Sequence, residues 1–257
     1  RKLTRMADVT IETTEVQSPN ASVRVLVARP RGVAGRLPAL VVWSDIFQLT
    51  GPHQRIVRRL ASHGFLVVAP ELYARIEPPG TVLDFDADRQ RALDAAARVE
   101  LSWIDEERRA VLEYLKGRPD VAPDRLGACG FCFGGHVALR AACEPEIKAS
   151  ACFYPTGVHD NTLGAARGTA DTLERLGAVH GELLLIWGRR DPHIPAAGRA
   201  RIHAALDAHG VRFETRLFDA EHAFVRDEGP RWDPEAADRA MGATVELFQR
   251  TLANRFS

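Results

Sequence analysis

Lysine, cysteine and long apolar segments are scarce in this chain, and each shortage excludes a class of protein or site. Lysine occurs only at positions 2, 116 and 148, so most of the positive charge is arginine and an isolated arginine is weak evidence for a binding site. Four cysteines in 257 residues are too few for a disulfide framework. No apolar run approaches the roughly 20 residues that cross a bilayer, so we expect no membrane association.

The chain also lacks an excess of either charge. It has 34 basic and 34 acidic residues, which argues against nucleic acid or an anionic membrane as a partner. Residues 1–10 lack the apolar segment of a signal peptide, so we expect a cytoplasmic protein. We interpret residues 1–10 as a disordered N-terminal extension, within which Met6 is a candidate start.

Residues 130–135, Gly-Phe-Cys-Phe-Gly-Gly, carry the strongest chemical signal. A short apolar segment precedes them and a helix-forming segment follows, as in the strand–turn–helix of a nucleophile elbow with cysteine in place of serine. Glycines permit the strained turn that presents the central residue. The amino terminus of the following helix would favour the reactive thiolate of Cys132.

Cys132 has two other interpretations. The residue could be a small buried hydrophobe, or it could pair with Cys129 in a C-x-x-C redox or zinc site. A zinc site needs a second pair of ligands at similar spacing, and the sequence has none. A redox role is disfavoured because Cys129 would point from its strand into the core. We therefore predict that Cys132 is a nucleophile and that there is no metal site.

Segments typical of strands and of helices alternate along the chain. The predicted strands are 22–29 (an early edge strand), 38–43, 65–69, 125–129, 149–154, 183–187 and 213–218. The predicted helices are 51–63, 84–117 with a break near 101–104, 134–143, 196–209 and 234–252. This alternation predicts one α/β domain over residues 1–257, with a doubly wound, mostly parallel sheet and helices on both faces. Residues 156–181 are an irregular excursion.

Catalytic groups in such sheets lie beyond the carboxyl ends of the strands, where Asp45, Cys132, Asp191 and His222 are predicted. Cysteine catalysis needs a base, and His222 follows the last strand. Asp191 follows the preceding strand and can orient the histidine, which gives the order nucleophile, acid, histidine. The alternatives are a surface histidine and a turn aspartate before Pro192.

The oxyanion formed in acyl transfer needs hydrogen-bond donors. The candidates are the backbone N–H of Phe133, which follows the nucleophile, and that of Ile46, which follows the strand predicted at 38–43.

Five segments together resemble the dienelactone hydrolase (carboxymethylenebutenolidase) family of the α/β-hydrolase superfamily. They are Gly-Phe-Cys-Phe-Gly-Gly at 130–135, Ser-Asp-Ile-Phe at 44–47, Glu-Leu-Tyr-Ala-Arg at 71–75, Asp-Arg-Gln-Arg at 88–91 and His-Ala-Phe-Val-Arg at 222–226. The resemblance spans roughly residues 23–252 and implies an α/β-hydrolase fold.

The resemblance also implies roles for particular residues. Cys132, His222 and Asp191 would form a catalytic triad, and Arg91 and Arg226 would bind the carboxylate of a lactone acid. The chain departs from the family at Asp45, where the family has a glutamate that interacts with the nucleophile. Aspartate is one methylene shorter, which could alter the substrate range.

We therefore hypothesise a hydrolase that opens a small lactone or enol ester bearing a carboxylate, of the kind that turns a dienelactone into maleylacetate. The reaction would pass through a thioester and need no metal or organic cofactor. The partner would be this small molecule, and the chain could be a monomer or a dimer. One alternative is a carboxylesterase of broader specificity on the same triad, and another is a hydrolase-fold binding protein without catalysis.

Overall fold

The computed structural model describes residues 7–253, which contain eight strands and seven α-helices. The strands are β1 (Val9–Ser18), β2 (Ala21–Pro30), β3 (Leu37–Trp43), β4 (Leu66–Pro70), β5 (Val121–Phe131), β6 (Ile147–Phe153), β7 (Glu182–Gly188) and β8 (Phe213–Phe218). The helices are α1 (Gly51–Ser62), α2 (Arg89–Arg98), α3 (Leu101–Gly117), α4 (Phe133–Ala141), α5 (Thr172–Arg175), α6 (Ala196–Ala208) and α7 (Pro234–Leu252). A 3-10 turn at Leu176–Ala178 follows α5.

All eight strands belong to one sheet in the order β1-β2-β4-β3-β5-β6-β7-β8. The β1–β2 and β2–β4 pairs are antiparallel, and every other neighbouring pair is parallel. This arrangement confirms the predicted mostly parallel sheet. The carboxyl ends of β3, β5, β6, β7 and β8 consequently meet at one edge, so the loops that follow them can build a common site.

Helices cover both faces of the sheet, as two glycines of β5 show. A Cβ at Gly127 would meet Phe248 and Leu252 of α7, whereas a Cβ at Gly130 would meet the backbone of Gly134 in α4. Because side chains alternate along a strand, positions 127 and 130 face opposite sides. The central strands are buried on both sides, with every residue of β3 and β4 buried. We infer that residues 7–253 form a single domain.

The amino-terminal part of the sheet corrects two sequence predictions. The strand predicted at 22–29 is β2, but it is not an edge strand because β1 pairs along its full length. Residues 9 and 10, assigned to a disordered extension, are the start of β1; residues 1–6 of that extension lie outside the described residues. The polar sequence of β1 hid it, since only Val16 of this strand is buried.

The predicted long helix at 84–117 is two helices, α2 and α3, which meet at Val99 and Glu100. The break therefore lies two residues before the predicted one. Val99 has an extended backbone, and its carbonyl accepts a hydrogen bond from the N–H of Ala165 at 2.9 Å. The 156–181 segment therefore contacts the chain at the break between α2 and α3.

The 156–181 segment is packed against the body of the protein rather than suspended over it. Its apolar side chains Val158, Leu163, Ala170 and Leu176 are almost fully buried. Within the described range, no helix combines the length and apolar character needed to cross a bilayer.

Candidate active site

Cys132 occupies the sharp turn between β5 and α4. Its φ of 56° and ψ of −118° lie in a region that residues with a Cβ rarely adopt. Such strain persists only where the surrounding structure enforces it, and it is concentrated at functional sites. The turn places the sulfur at the amino end of α4 and at the carboxyl edge of the sheet.

Three glycines around Cys132 permit backbone contacts that a side chain would block. A Cβ at Gly130 would lie 1.9 Å from the carbonyl oxygen of Gly134, and one at Gly135 would lie 2.6 Å from that of Phe153. A Cβ at Gly134 would lie 2.2 Å from the carbonyl oxygen of Ser44. The glycines therefore allow α4 to pack directly on β5, β6 and the loop after β3.

Asp191 and His222 form a buried hydrogen-bonded pair at the same edge. His222 Nδ1 donates to Asp191 Oδ2 at 2.7 Å, and the backbone N–H of His193 donates to Asp191 Oδ1 at 2.8 Å. Burial alone would raise the pKa of Asp191, but the hydrogen bond and charge of His222, with the His193 N–H, leave that pKa lowered. The carboxylate is thus ionised and fixes the histidine tautomer, which leaves Nε2 for Cys132.

His222 is stabilised as an imidazolium. Burial opposes its charge, yet the negative charge of Cys132 and the hydrogen bond to Asp191 raise the pKa of His222 to about 10. Tyr154 packs edge-on against the imidazole with ring centroids 4.9 Å apart, and His193 does so at 4.7 Å. The geometry therefore suits a thiolate–imidazolium pair.

A cavity of about 240 Å³ lies over Cys132 and His222. Its polar lining comprises Asp45, Cys132, Thr156, His193, His222, Arg89, Arg226 and Arg231. Its apolar lining comprises Ile46, Phe47, Leu93, Phe133 and Ala223. The cavity can accept a small molecule with an apolar body and an anionic group.

The backbone N–H groups of Ile46 and Phe133, the predicted oxyanion-hole donors, are free to donate hydrogen bonds. Both residues line the cavity beside Cys132, and neither N–H has an acceptor among residues 7–253. The carbonyl of Ile46 accepts a hydrogen bond from the Tyr73 hydroxyl at 2.9 Å, which helps to fix the peptide. Free, fixed N–H groups are what a developing oxyanion needs.

Asp45 lies in the cavity wall, but its contacts are with its own loop and an arginine. Oδ1 accepts the backbone N–H of Phe47 at 3.0 Å, and Oδ2 lies 3.9 Å from Nη1 of Arg226. No hydrogen bond joins Asp45 to Cys132 in the described part of the chain. Burial raises the pKa of Asp45, although the Phe47 N–H and the Arg226 charge oppose this.

The two arginines predicted to bind a carboxylate have different environments. Arg226 lines the cavity, is 13% exposed and lies over the ring of Phe85 with Cζ 3.9 Å from the centroid. Arg91 is 51% exposed, does not line the cavity and binds Glu77, with Nε–Oε1 3.0 Å. The predicted placement of Arg91 in the site is therefore corrected.

Arg89 takes the position in the cavity wall that was predicted for Arg91. Both are in the first turn of α2, but residues two apart point about 200° apart around a helix axis, so only one can face the cavity. Arg231, before α7, is a second cavity arginine that the sequence analysis did not single out. In an arginine-rich chain neither position carried a distinguishing sequence signal.

Sequence reasoning also missed His193, Tyr154 and Thr156. His193 lies two residues after Asp191, a spacing that could have indicated proximity to His222. Tyr154 and Thr156 follow β6 at the catalytic edge, so their position at a strand end was an available signal. Thr156 is the only residue of the 156–181 segment that lines the cavity, so this segment is not a lid over the site.

No group of three or more histidine, cysteine, aspartate or glutamate side chains within residues 7–253 is arranged to hold a metal ion. The four cysteines are free.

Comparison with known proteins identifies the family. The sequence model of the dienelactone hydrolase family matches residues 23–252. The chain belongs to the dienelactone hydrolase family. It is thereby a hydrolase, and small esters or lactones are the substrates that the family implies.

Individual relatives support this assignment. A protein of Saccharomyces cerevisiae named "Putative carboxymethylenebutenolidase" is 33% identical over 91% of this chain and 89% of its own length. A Synechocystis protein with the same name is 30% identical over 95% of this chain and 99% of its own length.

A solved structure confirms the α/β-hydrolase fold. The crystal structure titled "Putative Dienelactone Hydrolase" from Klebsiella pneumoniae superimposes with a TM-score of 0.81 at 24% identity. The match covers 95% of this chain and 99% of the other.

Replacement of Gly134 tests the close packing of the elbow. In Gly134→Ala the new methyl would meet the Ser44 and Trp43 carbonyl oxygens at 2.2 and 2.5 Å, so the backbone must shift. We expect the free energy of unfolding to fall by more than about 2 kcal/mol in urea denaturation. Gly242→Ala is the control: it adds a methyl to α7 with no atom within 4 Å and should stabilise by up to about 1 kcal/mol. Equal effects of the two substitutions would contradict the packing argument.

Replacement of Cys132 tests the thiolate–imidazolium pair. Serine at 132 stays neutral and removes the charge that raises the pKa of His222, so this pKa should fall below about 10. In the wild type the imidazolium should persist as the pH rises through neutrality and be lost near pH 10. Imidazole NMR titration of wild type and Cys132→Ser measures both midpoints, and Cys143→Ser should titrate like the wild type. An unchanged His222 midpoint in Cys132→Ser would refute the pairing.

Proposed function

We propose that this protein is a cysteine-dependent hydrolase that opens a small lactone or enol ester bearing a carboxylate. The observation that carries the proposal is the hydrogen-bonded Asp191–His222 pair beside Cys132 in one cavity. Asp191, His222 and Cys132 would then form the catalytic triad. The names of the relatives, carboxymethylenebutenolidase and dienelactone hydrolase, support the same substrate class.

In the first half of the reaction the thiolate of Cys132 attacks the ester carbonyl carbon. The N–H groups of Phe133 and Ile46 bind the negative oxygen of the tetrahedral intermediate. When the intermediate collapses, the bond from the carbonyl carbon to the ring oxygen breaks. The enolate takes the proton of the His222 imidazolium, which leaves a thioester and a neutral imidazole.

In the second half a water molecule hydrolyses the thioester. Neutral His222 accepts a proton from this water through the nitrogen not bonded to Asp191, and the oxygen attacks the thioester carbonyl. The thiolate of Cys132 leaves, so the thiolate–imidazolium pair is restored and the carboxylic acid is released. Each proton is accounted for by residues of the cavity and the water that is consumed.

Arginines in the cavity support a substrate with a carboxylate. The guanidinium of Arg226 donates no hydrogen bond to residues 7–253, and the carboxylate oxygen Oδ2 of Asp45 lies 3.9 Å from its Nη1. Arg89 has no acidic partner within 4.0 Å in the described chain, and Arg231 reaches only Glu221, at 4.0 Å. A planar guanidinium with free N–H groups can bind a carboxylate through two hydrogen bonds.

A broader carboxylesterase on the same triad is the second candidate. The apolar wall of Ile46, Phe47, Leu93 and Phe133 favours it, because such a surface accepts acyl groups with little discrimination. A binding protein without catalysis is disfavoured by the intact nucleophile, base and orienting acid. The cytoplasmic location stays a prediction from the sequence.

Turnover of a dienelactone by the purified protein tests the proposed reaction. Cys132→Ala should lower kcat by at least about 1,000-fold, because the covalent route is lost. Cys143→Ala, which removes a thiol away from the cavity, is the matched control and should keep wild-type rates. A wild type no faster than Cys132→Ala would exclude the reaction. Thioester accumulation, detected by mass spectrometry after rapid acid quench, would identify the intermediate.

The choice between a carboxylate-specific enzyme and a broad esterase depends on the cavity arginines. For Arg89→Ala and Arg226→Ala we expect kcat/KM to fall about tenfold or more on a carboxylate-bearing ester. On its neutral methyl-ester analogue kcat/KM should change much less. Arg91→Ala, on the same helix turn but paired with Glu77, is the control and should leave the acid-to-neutral ratio unchanged. An unchanged ratio in Arg89→Ala and Arg226→Ala would favour the broad esterase.

A further inference from the structure

Thr156 lies against the nucleophile from the carboxyl end of β6, the parallel strand next to β5. Its backbone N–H donates to the carbonyl of Cys132 at 3.3 Å, and its Oγ1 lies 3.9 Å from the sulfur. The hydroxyl has no other hydrogen-bond partner in the described structure. Since a thiolate can only accept, the hydroxyl is the donor whenever Cys132 is ionised.

A buried histidine of α4 holds Thr156 in this place. His136 is fully buried, and its Nδ1 lies 2.8 Å from the carbonyl oxygen of Thr156. A carbonyl can only accept, so Nδ1 carries the proton and Nε2 must accept. Nε2 lies 2.7 Å from the hydroxyl of Thr172, which therefore donates to it. Burial lowers the pKa of His136 to about 3, so the neutral form persists.

The chain of hydrogen bonds continues to a buried ion pair. Arg140 Nη1 donates to the Thr172 hydroxyl at 3.0 Å, and the same guanidinium donates to both oxygens of Asp105, at 3.2 and 2.8 Å. Arg140 can only donate and Asp105 can only accept. In the series of hydrogen bonds that runs from Asp105 of α3 to the carbonyl of Thr156, the donor of each bond is therefore fixed.

We propose that Thr156 is a positioning residue for the nucleophile: its hydroxyl donates a hydrogen bond to the Cys132 thiolate, and His136 orients it through the Thr156 carbonyl. This inference rests on the proposed function, because it concerns the same sulfur. It assigns a role to two residues outside the triad and the oxyanion hole. It also explains why α4 carries a fully buried polar histidine.

Other titratable and charged groups face this sulfur from neighbouring elements, and they remain in place when Thr156 is changed. They are Asp45 after β3, Tyr73 after β4, Arg89 of α2, Tyr154 after β6, Asp191 and His193 after β7, and His222, Arg226 and Arg231 after β8. A variant that alters only the Thr156 hydroxyl therefore isolates its contribution.

The test measures the rate at which iodoacetamide alkylates Cys132, as a function of pH, in the full-length protein. Thr156→Val removes the hydroxyl and keeps the branched shape. We expect the midpoint of the rate–pH profile to lie about 0.5 to 1.5 pH units higher than in the wild type. The rate should therefore be 3- to 30-fold lower at pH values below the wild-type midpoint, and the two profiles should converge at high pH. Thr156→Ser keeps the hydroxyl and should restore the wild-type profile.

A merely structural role would give a different result. It would lower the alkylation rate of Thr156→Val by the same factor at every pH, or leave serine unable to restore it, and either outcome overturns the proposal. An unchanged profile in Thr156→Val also overturns it. If Cys132 of the wild type is alkylated no faster than Cys143, the proposed function itself fails and this inference fails with it. Site-resolved mass spectrometry separates the two cysteines.

The role of His136 is tested through non-additivity. His136→Gln retains a hydrogen-bond donor and an acceptor but misplaces them. We expect it to raise the midpoint of the Cys132 alkylation profile by less than Thr156→Val does. In Thr156→Val/His136→Gln the second substitution should add nothing to the shift, because His136 acts through Thr156. Additive shifts would overturn this part of the proposal. Thermal unfolding of each variant confirms that the folded protein is being assayed.

Discussion

The arrangement of the site depends on one short backbone contact, the hydrogen bond from the N–H of Gly134 to the carbonyl of Ser44 at 3.1 Å. It joins the amino end of α4, which follows Cys132, to the loop after β3, which carries Asp45 and Ile46. The nucleophile and the second candidate oxyanion donor are therefore fixed relative to each other by main chain. Backbone contacts of this kind are stiffer than contacts between side chains, and only glycine lets the two segments approach so closely.

Burial supplies the second constraint, because the charges of Asp191 and His222 have lost water and need compensation. Asp191 is ionised because a side chain and a backbone N–H both donate to it. His222 keeps its proton because Asp191 and the sulfur outweigh the cost of burial. The same requirement applies behind the turn at Cys132, where Arg140 and His136 are fully buried. Every side-chain nitrogen of these two residues has a hydrogen-bond partner.

The aspartate at position 45 lies beside Arg226 in the wall of the cavity. In the described residues its side chain makes no hydrogen bond to the sulfur; it accepts the N–H of Phe47 and lies near Arg226. Arg226 is thereby held by a loose ion pair and by the ring of Phe85 rather than by a close carboxylate. An anion entering the cavity would meet a guanidinium with unused donors, which is the arrangement that carboxylate recognition requires.

The sequence by itself determined the order of strands and helices and the motif at Cys132, because hydrophobic periodicity and glycine spacing are local properties of the chain. It could also place Asp191 and His222 after consecutive strands. It could not detect β1, whose polar residues become a strand only by pairing with β2. It could not choose Arg89 over Arg91, because both lie in one helix turn and the choice depends on which face the helix turns to the cavity. Tertiary structure alone decided these points and the approach of Thr156 to the sulfur, because each depends on contacts between residues distant in sequence.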